Sequence, residues 1–298
     1  MSVAQLFPGF RAERVAVDGV TIHAVVGPRR AAPALLFLHG YPQTLAIWHQ
    51  VAPAFAHRFN VVCADLPGYG DSDKPPSDEQ HGPYTKRAMA RTLVGLMKAL
   101  GHDTFHVVGH DRGARVAHRM ALDHAAAVRR IAVLDIAPTL AMYEGTTEAF
   151  ARAYWHWFFL ILPAPLPERM LGVDPTGMLR AKMIGGVPGF GIFAREAWAE
   201  YERCFTPEMI HASCEDYRAA ATTDLVHDRE DRAAGRRVTQ PLLALWGAKG
   251  VVERCFDPLA LWRAAAYDVR GAALPGGHYL AEELPQMVIA ELDAFLVD

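Results

Sequence analysis

The segment Gly109-His110-Asp111-Arg112-Gly113 holds the residue types and spacing that most directly specify a reaction. It follows the β-branched Val107-Val108 and precedes an amphipathic helical pattern. Glycines on both sides let the chain turn sharply from strand to helix and expose the middle side chain at the carboxyl end of a sheet. The alternative is an exposed turn aspartate that caps the following helix. It is outweighed by the strand, the paired glycines, the helix and the companion residues described below. An aspartate nucleophile selects its substrates. Attack on an ester carbonyl gives a mixed anhydride, a poor route to acyl transfer. Attack on saturated carbon gives an alkyl ester of Asp111, which water hydrolyses at the aspartyl carbonyl. The substrate therefore carries a leaving group on sp3 carbon, either a halide or the oxygen of an epoxide. Esterase, lipase and peptidase chemistry are set aside on that ground.

A nucleophile so placed needs a sheet beneath it, and short β-branched runs alternate here with helical stretches, the pattern of an α/β domain. Arg14–Val17 and Val20–Val26 flank the hairpin signal Asp18-Gly19. Ala34–Leu38 is a continuous apolar run, as expected of a strand covered on both faces. Val61–Ala64, His106–Gly109, Ile131–Asp135, Leu242–Trp246 and Val269–Ala273 read as further strands. Helices are predicted over Trp48–Ala56, Lys86–Leu100, Arg112–Leu122 and Pro285–Leu296. From Thr139 to Val226 the chain is rich in aromatics and helix formers, punctuated by Pro163, Pro165, Pro167 and Gly185-Gly186. That stretch reads as a helical insertion, and Asp224–Arg237 as a charged return to the sheet. The expected division is a core of 1–138 with 227–298 and a cap of 139–226.

The composition narrows the setting without naming a reaction. The 298 residues are 51% apolar, too many for a disordered chain. Thirty Lys plus Arg against 33 Asp plus Glu leave a net charge of −3 and no basic field for nucleic acid or an anionic membrane. The most apolar run, Trp155–Leu162, stops at Pro163, far short of the roughly 20 residues of a spanning helix. Cys63, Cys204, Cys214 and Cys255 form no C-x-x-C pair, so neither a zinc cluster nor a redox motif is expected, and reduced thiols are. Met1–Glu13 lacks the basic and apolar regions of a signal peptide, which makes the cytoplasm the expected location.

Three further features narrow the chemistry. Asp111-Arg112-Gly113-Ala114-Arg115 puts two arginines on the helical turn after the nucleophile. A cation pair there implies an anionic substrate, most simply a carboxylate, and lowers the pKa of Asp111. Trp155-His156-Trp157 lies early in the insertion and Glu215-Asp216-Tyr217-Arg218 near its end. With these motifs the sequence resembles the α/β-hydrolase superfamily over essentially its whole length, and within it the fluoroacetate (haloacetate) dehalogenases. Haloalkane dehalogenases and soluble epoxide hydrolases typically carry an aromatic residue directly after the aspartate.

The resemblance implies a mostly parallel eight-stranded sheet flanked by helices, with a helical cap. It implies His278, in Gly276-Gly277-His278, as the base that activates water. Many members carry the orienting acid at the position filled here by Gly250. Asp135 is the expected substitute and Glu253 the fallback. The backbone N–H groups of Tyr41, in His39-Gly40-Tyr41-Pro42, and of Arg112 would form the oxyanion site. Arg112 and Arg115 would bind the substrate carboxylate, and His156, Trp157 and Tyr217 the leaving halide. The run Asp65–Ser72 is expected to shape a loop rather than touch substrate. No metal or organic cofactor is implied, and the expected partner is a small halogenated carboxylate, with a homodimer suggested by the family. An epoxide hydrolase with the same Asp, His and Asp is the alternative, with Tyr143, Tyr154, Tyr201 and Tyr217 as phenolic donors; the arginine pair and His-Trp argue against it. A non-catalytic protein on this fold has no reason to retain all three triad groups.

Overall fold

The computed structural model describes residues 3–185 and 189–297, so Gly186 lies outside the described residues. Eight strands form one sheet: β1 (Arg11–Val17), β2 (Val20–Val26), β3 (Ala34–Leu38), β4 (Asn60–Ala64), β5 (Phe105–His110), β6 (Val128–Leu134), β7 (Leu242–Gly247) and β8 (Val269–Leu274). Their order is β1-β2-β4-β3-β5-β6-β7-β8. The pairs β1–β2 and β2–β4 are antiparallel, and every later pair is parallel. Asp18 and Gly19 both adopt positive φ, which a two-residue hairpin turn requires. The central strands β3, β4, β5 and β7 are buried at every residue, which is why they read as unbroken apolar runs.

Helices α1 (Lys86–Ala99) and α2 (Arg112–Asp123) connect the first parallel strands. Every helix or strand element between β6 and β7 is helical: α3 (Thr139–Glu144), α4 (Glu148–Ala153), α5 (Trp155–Phe159), α6 (Leu166–Gly172), α7 (Pro175–Met183), α8 (Arg195–Cys204), α9 (Pro207–Ala221) and α10 (Thr223–Ala233). After β7 come α11 (Val251–Cys255), α12 (Pro258–Ala265), α13 (Leu280–Glu283) and α14 (Pro285–Phe295). Local chemistry starts several of them. Thr85 caps α1 by accepting from the Ala88 N–H, and Thr206 caps α9 with Pro207 in the first turn.

Two expectations are corrected. The helix expected over Trp48–Ala56 is two 3-10 turns, Leu45–Trp48 and Ala52–Phe55. Pro53 has no N–H for a continuous ladder and opens the second turn instead. The charged return Asp224–Arg237 is largely α10, which Arg119 of α2 anchors through Asp228 at 2.6 Å and Asp231.

The helix α2, which follows Asp111, is pressed against the sheet. A Cβ on Gly113 would stand 2.4 Å from the His39 carbonyl oxygen and 2.5 Å from that of Leu38, both backbone atoms. Gly113→Ala is therefore expected to destabilise the fold by about 3 kcal/mol, the upper range for overpacking. Urea denaturation measures this, and a loss below about 1 kcal/mol would mean that α2 can lift off β3 freely.

Candidate active site

Asp111 sits where β5 ends and α2 begins, at φ +47° and ψ −113°. Such a conformation costs on the order of 1–3 kcal/mol for a residue other than glycine. It makes no side-chain capping bond to α2, so the carboxylate is free for other work. Gly40 makes room for it, since a Cβ there would lie 2.4 Å from the Asp111 Cβ. The Tyr41 N–H donates to Asp111 Oδ1 at 3.0 Å. Among the described residues Oδ2 accepts no hydrogen bond, and the Arg112 N–H is not a donor to this carboxylate. Burial alone would raise the Asp111 pKa, but His278 and the neighbouring cations, Arg112 and Arg115 among them, outweigh it and hold the group ionised.

His278 follows β8, and its Nδ1 lies 2.6 Å from Asp135 Oδ2. The other oxygen of Asp135 accepts from the Gly247 N–H at 2.9 Å. Asp135 also takes positive φ, +51°, just past the end of β6. A Cβ on Gly250 would come 3.3 Å from Asp135 Oδ1, so the acid borders the space that a side chain at 250 would use. Glu253 does not serve His278 but accepts the indole N–H of Trp246. His110 supports the base from beneath. Its Nε2 is 2.8 Å from the His278 carbonyl oxygen, and burial pushes its pKa down to about 3, so the neutral ring donates there.

The two arginines are not equivalent. Arg112, fully buried, donates from Nε to Asp216 Oδ2 at 2.9 Å and from Nη2 to Asp216 Oδ1 at 2.7 Å. Asp216 also receives the Tyr69 hydroxyl at 2.7 Å and the Lys86 ammonium. Arg115, equally deep, has no carboxylate partner. Its Nη1 donates to Thr139 Oγ1 at 2.8 Å and the Ala137 carbonyl at 3.2 Å, and its Nε is buried without a partner. Its guanidinium lies 4.6 Å from the Trp157 ring centroid, and that of Arg112 lies 4.2 Å from Tyr217. Burial and the charge of Arg112 both press the Arg115 pKa down, opposed first by Asp111.

His156 and Trp157 of α5 and Tyr217 of α9 meet above this floor. The His156 and Tyr217 ring centroids are 5.8 Å apart, and those of Trp157 and Tyr217 are 6.5 Å apart. All three are buried, and His156 Nδ1, Trp157 Nε1 and the Tyr217 hydroxyl lack hydrogen-bond partners among the described residues. So does the Tyr143 hydroxyl, whose ring lies 5.1 Å from Trp157. Buried polar groups are ordinarily paired, and four orphans around one nucleophile mark a place built to receive acceptor atoms.

The alpha/beta hydrolase fold model matches residues 33–252. A fluoroacetate dehalogenase from Burkholderia sp is 45% identical over 98% of this chain and 96% of its own length. The chain belongs to the haloacetate dehalogenase family of α/β-hydrolases. A soluble epoxide hydrolase from Corynebacterium sp. (strain C12) is 32% identical, covering 92% of both chains. Among solved structures, the α/β hydrolase ALR0039 from Nostoc sp PCC 7120 superposes with a TM-score of 0.93 at 49% identity, over 97% of this chain and 98% of its own.

In this member of the haloacetate dehalogenase family, sequence reasoning missed Asp216, Lys86 and His110 and treated Tyr143 only as a spare phenol. Asp216 stood inside a motif read for its neighbour Tyr217. An acid beside a site residue, in a chain with a nucleophile-flanking arginine, was the available signal. A cavity of about 580 Å³ lies elsewhere, and its Glu144 and Asp231 are already paired with Arg232 and Arg236.

Arg112 and Lys86 hold Asp216 well below the ordinary carboxylate range. A depressed folded pKa stabilises the protein above the unfolded value and loses that effect as pH falls toward the folded one. Asp216→Asn is expected to cost about 3–5 kcal/mol at neutral pH, because it strands buried cations. In urea titrations the gap to wild type should begin to close below about pH 4. A pH-independent gap would mean that the carboxylate charge is not what matters.

Proposed function

We propose that this chain is a hydrolytic dehalogenase of small 2-haloacids, converting a haloacetate to glycolate and halide. The observation that carries the reading is Arg115, a buried cation beside the nucleophile that, among the described residues, hydrogen-bonds to no carboxylate. A substrate carboxylate supplies the missing charge, with the free Nη1 of Arg112 as a second donor. The 45% identity to a fluoroacetate dehalogenase supports the same substrate class. Residues 139–226 act as the cap over the core of 1–138 and 227–298, although α10 runs across the boundary at 226.

In the first half-reaction Asp111 Oδ2 attacks the carbon bearing the halogen. The carbon–halogen bond breaks as the carbon–oxygen bond forms, and the halide leaves with the bonding pair. Oδ1, held by the Tyr41 N–H, becomes the carbonyl oxygen of the ester. Fluoride is a poor leaving group and strongly solvated, so it needs donors to replace water. The Trp157 indole, Tyr217 hydroxyl and His156 imidazole supply them. In the second half-reaction neutral His278 takes a proton from water, which attacks the aspartyl carbonyl. Negative charge then develops on Oδ1 against the Tyr41 N–H, and Asp135 stabilises the imidazolium. On collapse the aspartyl C–O bond to the departing group breaks, the imidazolium returns its proton to that oxygen, and Asp111, neutral His278 and the 2-hydroxy acid result.

The same reading takes the protein as a cytoplasmic homodimer. For the dimer the support is apolar surface: most exposed large apolar side chains of the described residues fall between Trp155 and Ile192, Met170 at 53% and Val173 at 85% among them. No helix of the described residues is long and apolar enough to cross a membrane.

The primary test is halide release from fluoroacetate, chloroacetate and 2-chloropropionate, run beside epoxide turnover. Epoxide turnover without halide release would overturn the reading in favour of an epoxide hydrolase. His278→Asn should leave the first half-reaction intact and accumulate an alkyl adduct on Asp111, seen by mass spectrometry of the intact protein. Arg115→Met should lower kcat/KM for haloacetate at least about thirtyfold, the effect of truncating one partner of a buried charge pair. Light scattering across a dilution series tests the dimer, and a monomer at all concentrations would remove it.

A further inference from the structure

Beyond His156 lies a second, smaller cavity of about 10 Å³, walled by Tyr41, His156, Leu160, Met178, Lys182 and Phe205 among others. That is room for roughly one water-sized particle, so a haloacetate does not fit but a monatomic ion does. Lys182, near the end of α7, is one of only five lysines in the chain and, among the described residues, the only cation lining this cavity. Among the described residues it makes no hydrogen bond or ion pair. The other walls are apolar or aromatic, apart from His156, which burial and the Lys182 charge together hold neutral.

A partly buried ammonium in apolar surroundings with no counter-charge is costly unless an anion visits it. Burial lowers its pKa to about 8, and the Asp111 carboxylate is the charge that resists. The position relative to the chemistry is specific. The His156 ring forms part of this cavity wall and also packs against Tyr217, and Tyr41 stacks on it with centroids 6.2 Å apart. The cavity therefore lies against two residues of the reacting site, one holding Asp111 through its N–H and the other a proposed halide donor.

The halide poses a problem that the proposed reaction leaves open. Once the ester forms, the carboxyl charge of Asp111 is gone and the substrate carboxylate engages Arg115. The halide is then held by neutral donors, away from water. We infer that Lys182 and the cavity it lines form a second anion station, which takes the halide from the His156–Trp157–Tyr217 cradle on its way to solvent. The inference rests on the dehalogenase reading, and it adds a site for a monatomic anion rather than for the carboxylate. No bond is made or broken in the transfer; the halide exchanges N–H and O–H donors for an ammonium.

The experiment compares wild type, Lys182→Met and Lys182→Arg. Bromide is titrated into the resting enzyme and followed by quenching of indole fluorescence, with stopped-flow dilution giving its release rate. Steady-state kinetics with chloroacetate are run in parallel with added bromide, chloride or glycolate as inhibitors. Lys182→Met should change the bromide and chloride inhibition constants about tenfold and slow bromide release by a similar factor, as loss of a close charge in a partly dry site demands. Lys182→Arg should restore most of both. Inhibition by glycolate should not move. Because kcat/KM ends at cleavage of the carbon–halogen bond, it should change less than kcat.

Unchanged halide constants and release in a folded Lys182→Met protein would overturn the second station. So would a fall in kcat/KM with intact halide constants, which would make Lys182 a substrate-entry group. Failure of wild type to release halide from any haloacid, with bromide still bound and released in a Lys182-dependent way, would overturn the dehalogenase reading and leave the anion station standing.

Discussion

The site is governed by charge balance around one buried aspartate. Asp111 is desolvated, and a lone buried carboxylate would take up a proton rather than stay ionised. His278, His110 and the two arginines oppose this, and the arginines do so under different conditions. Arg112 is neutralised by Asp216, so its main contribution is a fixed geometry and an unoccupied nitrogen. Arg115 has only neutral partners, so its charge is available to the nucleophile or to a ligand. A site with both arginines neutralised would bind an anion weakly, and one with neither neutralised would pay heavily for two desolvated cations side by side. The Asp216 contact therefore sets how much positive charge the pocket presents.

That contact also joins the two parts of the chain. Asp216 and Tyr217 are neighbours on α9, one gripping Arg112 and the other facing His156 and Trp157. Lys86, at the start of α1, extends the network to Asp224, whose Oδ1 accepts from the Lys86 N–H at 2.9 Å. Elements on both sides of the nucleophile thus share one buried ionic cluster. A shift of α9 would move the Arg112 guanidinium and the Tyr217 phenol together, the two groups proposed to meet the carboxylate and the halide. Positioning of the two ends of a two-carbon substrate is coupled by construction, without any flexible intermediate.

How much of this could be read from sequence follows from the range of each interaction. The sheet was legible because burial on both faces leaves continuous apolar runs, as in Ala34–Leu38. The elbow was legible because its glycines answer to local sterics, the approach of Gly113 to the β3 carbonyls being one. The acid was found by an empty position: Gly250 is small where Asp135 reaches in, and a missing side chain is a signal that sequence can carry. Asp216 was not found because its role depends on a contact 104 positions away, and nothing local distinguishes it from a solvated helix acid. The 3-10 turns at Leu45–Trp48 and Ala52–Phe55 were misread as helix because periodicity alone does not register the missing Pro53 N–H.

The same charge balance separates the two chemistries open to an aspartate nucleophile. An epoxide is neutral, so in the Michaelis complex Asp111 alone would oppose the charge of Arg115. It would also need an acid to protonate its alkoxide. Of the four phenols available, Tyr201 donates instead to Glu282, a contact between α8 and α13. Tyr154, Tyr217 and Tyr143 remain, Tyr154 with its ring 6.3 Å from that of His278 and the other two packed beside the arginines or Trp157. Burial raises the phenol of Tyr143 to about 12, and the arginines are the groups that pull it back. Such a phenol stays protonated at neutral pH and can donate a hydrogen bond to an anion. A halide needs only the hydrogen bond. A carboxylate beside Arg115 and a halide among the hydrogen-bond donors would use the orphaned groups of the site, whereas an epoxide would bring no charge to the buried guanidinium.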